Sequence, residues 1–237
     1  MQKPERIILS TRPLPEGLVA EAAAQGLHID TVSFIDTEPA TDAETRRLVQ
    51  VVATAPGKVV FTSMNAVEAV AQQLTQLPRW EAFCIGHATK KLLTEQIRVP
   101  VIGDAPDADA LASVIIASGV KSVAFFCGDQ RRDALPLRLG MAGIRVHEII
   151  VYRTIATPHP VDKAYDGLLF YSPSAVESFF EVNGAPAGAV FFAIGATTAA
   201  AIREHCANTI IVADEPGKEA LTRKMMAYFS TFTTTSN

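Results

Sequence analysis

One eight-residue pattern occurs twice in this chain. Phe61-Thr-Ser-Met-Asn-Ala-Val-Glu returns as Phe170-Tyr-Ser-Pro-Ser-Ala-Val-Glu, 109 positions later. Ile85-Gly-His-Ala-Thr returns as Ile194-Gly-Ala-Thr-Thr at the same shift of 109. Asp109-Ala-Leu and Glu219-Ala-Leu are 110 apart, and a weaker pair, Gly26-Leu-His-Ile and Gly143-Ile-Arg-Val, is 117 apart. Matches in nearly one register limit the chain to two units of like design. A length of 237 residues allows one large domain or two small ones, and the repeat decides for two.

Each repeated motif sits where a strand pattern gives way to a helical one. Arg6-Ile-Ile-Leu-Ser reads as a buried strand. Thr11-Arg-Pro-Leu-Pro breaks it, and Glu16 to Gln25 reads as an Ala-rich helix closed by Gly26. The same alternation recurs at Lys58-Val-Val-Phe-Thr-Ser, Phe83-Cys-Ile-Gly, Ser122-Val-Ala-Phe-Phe-Cys-Gly, Gly167-Leu-Leu-Phe-Tyr-Ser and Val190-Phe-Phe-Ala-Ile-Gly. Continuous apolar strands separated by helices predict the α/β class, as two similar small domains with parallel sheets flanked by helices. Two segments break the pattern: His28 to Glu38 and Val146 to Thr157 are long, extended and each meets a proline. They read as linker strands, a two-stranded extended connection. From the residues alone, two sequential domains and a discontinuous arrangement both remain open.

Composition then removes function classes. The 21 Lys and Arg against 25 Asp and Glu leave a net charge of -4, which excludes a broad basic face for nucleic acid. Cys84, Cys127 and Cys206 are widely spaced and odd in number, with no disulfide framework and no CxxC pair, so a reducing cytoplasm is expected. The first apolar run is too short for a signal-peptide core. The longest, Ala189 to Ile202, falls short of the ~20 residues a membrane helix needs, so no membrane partner is expected. The five histidines show no metal-ligand spacing. No Walker A, GxGxxG or GxSxG motif follows a strand, so a dinucleotide fold lacks its fingerprint and no nucleophile elbow is present.

The residues able to carry chemistry gather at the strand-to-helix junctions. Thr62, Ser63, Thr89, Ser172, Ser174, Thr197 and Thr198 place hydroxyls there. Each has a plain reading as a helix N-cap. Together they also predict an anion-binding surface, because first-turn amides and the helix dipole favour negative charge. If the strand ends of two domains face each other, they line a cleft suited to several carboxylates or phosphates. Arg12, Arg131 and Arg132 follow strands and could grip carboxylates with paired donors, or simply lie in solvent. Tyr152, within Ile149-Ile-Val-Tyr-Arg-Thr, is either packing or a phenol able to give a proton to a leaving group. His87 reads as a non-ligand, though it opens a helix and could reach the cleft.

Taken in order, Ser10-Thr-Arg-Pro, Phe61-Thr-Ser, Ile85-Gly-His-Ala-Thr, Phe126-Cys-Gly-Asp-Gln-Arg-Arg-Asp-Ala-Leu-Pro, Val151-Tyr-Arg-Thr, Phe170-Tyr-Ser-Pro-Ser-Ala-Val and Ala193-Ile-Gly-Ala-Thr-Thr-Ala resemble the uroporphyrinogen-III synthase family. The set covers nearly the whole chain. It departs from the common pattern at Met64-Asn65, at His87 to Lys90 and at Ala196. The resemblance implies a discontinuous α/β domain of residues 1–34 plus 159–237, an inserted α/β domain of 40–150, and linker strands at 35–39 and 151–158. It implies cyclisation of hydroxymethylbilane to uroporphyrinogen III, with loss of water and inversion of ring D through a spiro intermediate. It implies no cofactor, a linear tetrapyrrole partner bearing eight carboxylates, and a cytoplasmic monomer. Tyr152 matches the position that assists departure of the hydroxyl. Ser63, Thr89, Ser172 and Thr197 match substrate-binding positions, and Arg12, Arg131, Ser174 and Thr198 complete the expected binding set. Two readings compete with this one. One is a non-catalytic hinged binder of a polyanion. The other is a phospho-acceptor domain, which the placement of Asp30, Asp36 and Asp104 disfavours.

Overall fold

The computed structural model describes residues 5–131, 133–215 and 217–231. The chain divides into two compact units: Met1–Asp36 with Ile155–Asn237, and Thr37–Thr154. Strands β3 (Ile35–Pro39) and β8 (Arg145–Ala156) each run through the division.

The first unit holds β1 (Arg6–Ser10), α1 (Glu16–Ala24), β2 (Leu27–Thr31), β9 (Gly167–Phe170), α7 (Pro173–Phe180), β10 (Val190–Ala193), α8 (Ala196–His205), β11 (Ile210–Val212) and α9 (Lys218–Thr231). Its sheet runs β11-β10-β9-β1-β2, parallel throughout. Gly26 takes φ 77° between α1 and β2, a left-handed turn that a side chain would strain. The second unit holds α2 (Ala43–Thr54), β4 (Gly57–Phe61), α3 (Met64–Ala71), β5 (Trp80–Ile85), α4 (His87–Leu92), a π-helical turn at Leu93–Ile97, β6 (Val101–Ala105), α5 (Ala108–Ala117), β7 (Ser122–Gly128) and α6 (Ala134–Met141). Its sheet runs β3-β8-β7-β4-β5-β6, with β8 to β6 parallel.

The repeat has a topological meaning. Aligning β9, β10 and β11 with β4, β5 and β6, as the repeated motifs require, leaves β1 and β2 opposite β7 and β8. The two sheets then read in the same spatial order. The weak Gly26/Gly143 match falls at the entries to β2 and β8, which correspond in this alignment.

Both sheets are covered on both faces, which explains why their strands are apolar without alternation. Along β7, Phe126 packs with Val49, Phe61 and Trp80, while Phe125 faces Leu111, Ile115 and Leu139. Along β9, Phe170 packs with Phe179 and Phe191, while Leu169 faces Phe192 and Met225. The extended segment from His28 to Glu38 is not one linker strand. Its first part, β2, is a full sheet strand paired with β1 from Leu27 to Thr31, and Val32–Phe34 interrupt it before β3.

Candidate active site

Ligands of open α/β sheets bind beyond the carboxyl ends of the strands, where the strand order reverses. In the Thr37–Thr154 unit that reversal lies between β4 and β7. Thr62 and Ser63 follow β4, and β7 ends on Cys127 and Gly128. Ser63 caps α3, accepting a hydrogen bond from the Ala66 amide at 3.3 Å, and donates its own proton to the phenol oxygen of Tyr152 at 3.2 Å. Tyr152 stands on β8, one strand beyond β7. Its ring reaches Ser63 by lying across Gly128, where a Cβ would stand 2.4 Å from the ring Cζ and 2.8 Å from Oη. A register shift between Cys127 and Gly128 brings Tyr152 opposite the glycine. The Asp129 amide donates to the Tyr152 carbonyl at 3.2 Å, and the Thr154 amide donates to Asp129 Oδ1 at 3.0 Å. The backbone on the C-terminal side of the tyrosine is thereby fixed.

In the other unit the reversal lies between β1 and β9. Ser10 and Thr11 are fully buried there. The Thr11 hydroxyl donates to the Leu169 carbonyl at 2.9 Å, and Ser10 Oγ donates to the Arg12 carbonyl at 2.6 Å and lies 3.2 Å from the Tyr171 hydroxyl. Burial pushes the Tyr171 phenol above its ordinary range. The exposed Arg12 forms no ion pair among the described residues. Lys218, half-buried at the start of α9, donates to the Pro13 carbonyl at 2.8 Å. Burial and, second, the Arg12 charge hold its ammonium below the usual lysine range. Ser172 caps α7 by accepting from the Ala175 amide at 3.3 Å, and the Ser174 hydroxyl is 3.5 Å from it.

The hydroxyls therefore divide. Ser63 and Ser172 are caps. Thr89, Thr197 and Thr198 are not, because Gly86 and Gly195 occupy the cap positions of α4 and α8 and offer no side chain to the first-turn amides. Thr89 and Thr198 are buried, whereas Thr197 is exposed. Arg131 is committed elsewhere: its guanidinium bonds Asp133 and Glu148, and both interactions hold its charge. Arg132 lies outside the described residues. His87 is exposed on the first turn of α4. Among the described residues no group of three His, Cys, Asp or Glu is placed to hold a metal, and no helix is long and apolar enough to cross a membrane. Burial raises the thiols of Cys84 and Cys127 to about 11, so neither supplies a thiolate at neutral pH.

Sequence reasoning passed over Gly128 and Lys218. A glycine closing a strand beside the one that carries the tyrosine was a readable signal of close approach. Lys218 gave none, because its significance depends on Arg12, at the opposite end of the chain.

A family model described as "Uroporphyrinogen-III synthase HemD" matches residues 16–223. The chain belongs to the uroporphyrinogen-III synthase family. It is thus an enzyme of tetrapyrrole biosynthesis that cyclises hydroxymethylbilane to uroporphyrinogen III. Solved structures agree on the fold. The uroporphyrinogen-III synthetase of Helicobacter pylori superposes with a TM-score of 0.66 at 17% identity, covering 94% of this chain and 99% of that one. A mutant uroporphyrinogen III synthase from Thermus thermophilus gives 0.56 at 18%, covering 96% and 99%. No curated protein sequence is similar enough to count as a match.

Proposed function

We propose that Tyr152 is the proton donor of the cyclisation. Its phenol gives a proton to the ring A hydroxyl of hydroxymethylbilane. The C–O bond breaks with its electron pair on oxygen, and water leaves. Ring D then closes through its substituted carbon, by way of the spiro intermediate, and the proton released on forming the macrocycle restores the phenol. The observation that carries this reading is the Ser63–Tyr152 hydrogen bond at the β4/β7 reversal, which presents a phenol at the place where α/β sheets bind ligands.

The eight substrate carboxylates require donors. Arg12 and Lys218, at the ends of β1 and of the loop into α9, supply two positive charges without an acid partner among the described residues. Ser172, Ser174, Thr89, Thr197 and Thr198 supply hydroxyls or shape the surface, beside first-turn amides. Arg131 ranks below Arg12, since binding a substrate carboxylate would mean exchanging two protein ones. The reading includes a cytoplasmic monomer with no nucleic-acid or membrane partner and no cofactor, since orientation of a reactive bilane supplies much of the catalysis.

Tyr152→Phe tests the donor assignment. Loss of a positioned general acid costs about 10²-fold or more in turnover, so the variant should fold normally and turn over hydroxymethylbilane at least about 100 times more slowly. A wild-type rate removes Tyr152 from the chemistry.

A further inference from the structure

Three strands meet at the β4/β7 reversal, and the middle one decides where the tyrosine goes. Tyr152 is on β8 and Ser63 follows β4, while β7 lies between them. A side chain at the last residue of β7 would occupy the space the phenol ring fills. At Gly128 a Cβ would meet Cζ at 2.4 Å, Cε2 at 2.5 Å and Oη at 2.8 Å. Distances under 3 Å to a ring that is itself hydrogen-bonded and backbone-anchored leave no relaxed position for both.

The second constraint is the direction of the hydrogen bond. A serine hydroxyl has one proton and two lone pairs. The Ala66 amide occupies a lone pair of Ser63 Oγ, and the Ser63 proton points to Tyr152 Oη. The phenol oxygen is therefore an acceptor toward the protein, and its own proton is turned away from Ser63.

We propose that Gly128 and Ser63 are the positioning residues that make Tyr152 a proton donor: the glycine opens the path for the ring, and the α3 cap fixes the phenol as acceptor toward the protein so that its O–H is free for the substrate. Both residues act through the tyrosine: Ser63 bonds its phenol oxygen, and Gly128 leaves room for its ring. The proposal rests on Tyr152 being the donor. It adds that donor ability is set by a missing side chain on one strand and a helix cap on another.

The test measures kcat with hydroxymethylbilane, together with thermal unfolding, for Ser63→Thr, Ser63→Asp and Gly128→Ala, each alone and with Tyr152→Phe. Aspartate caps a helix as well as serine but, ionised, only accepts. Ser63→Asp should therefore keep the fold while reversing the bond to the phenol, and kcat should fall about 10²-fold, to the level of Tyr152→Phe. Ser63→Thr keeps both bonds and should retain kcat. Gly128→Ala should fall to the same level. Combined with Tyr152→Phe, neither Ser63→Asp nor Gly128→Ala should reduce kcat further. If Gly128→Ala unfolds, Gly128→Ala with Tyr152→Ala should refold, because the obstructing ring is gone. Wild-type kcat in Ser63→Asp or Gly128→Ala overturns the proposal, as does an equal loss in the Tyr152→Phe background or failure of the Tyr152→Ala rescue. Wild-type kcat in Tyr152→Phe alone instead overturns the donor assignment beneath it.

Discussion

At the scale of single residues, Lys218 carries the clearest unassigned charge. An ammonium held low by burial and by a neighbouring guanidinium is relieved by an anion, so a substrate carboxylate bound there should raise its pKa again. Binding and protonation are then linked. Product affinity should fall as pH rises through the depressed titration of Lys218, and Lys218→Met should weaken binding about tenfold and abolish that step. Titrations of both proteins with uroporphyrinogen III across alkaline pH check this, and an unchanged profile in the variant returns Lys218 to a tie between α9 and Pro13. Single residues were also where the sequence was hardest to read. Arg12 and Arg131 look alike in the chain, each just past a strand. Only the folded neighbours Asp133 and Glu148 separate the committed guanidinium from the open one. Tyr152 stood out in the sequence as either packing or a proton donor, and the family resemblance favoured the second. Its reach to Ser63 depends on a register shift and a glycine that no periodicity announces.

At the scale of elements, the four helix starts of the repeated motifs form two types. α3 and α7 begin on a serine that accepts from the amide three residues on. α4 and α8 begin after a glycine with no capping side chain. The first type satisfies a first-turn amide with its own side chain, and the second leaves those amides without a side-chain acceptor. Ser172→Ala should thus cost about 1 kcal/mol of unfolding free energy. Thr197→Ala, at an exposed non-cap position, should cost less than about 0.5 kcal/mol but weaken uroporphyrinogen III binding. Denaturant unfolding with product titration separates the two, and equal stability losses would erase the distinction. The strands and most helices were legible, because apolar runs covered on both faces leave a continuous signature. The break inside His28–Glu38 was not. Its residues suit an extended chain throughout, and only pairing with β1 shows that the first part is a sheet strand while Ile35–Pro39 belongs to another sheet.

At the scale of the whole molecule, one strand order is used twice. The repeated Phe-x-Ser motifs end β4 and β9, which flank the reversal in each sheet, and so the repeat points directly at the functional ends of both units. On the proposed reading, the duplicated design with unlike residues divides the labour. One unit offers a phenol held over a glycine, and the other offers Arg12 and Lys218 beside buried hydroxyls. A net charge of -4 gives no general attraction for a polycarboxylate, and on the proposed reading these local donors supply it. The matched motifs make the two-unit α/β design legible in the sequence. What they could not convey is which departures between matching junctions matter, and on the proposed reading those departures carry the chemistry. The central claim is that this chain closes hydroxymethylbilane with inversion of ring D. Freshly prepared hydroxymethylbilane, incubated with the protein and resolved by isomer after oxidation to the porphyrins, decides it. Uroporphyrin III in excess over the uncatalysed isomer I is the expected result, and isomer I alone would contradict the assignment.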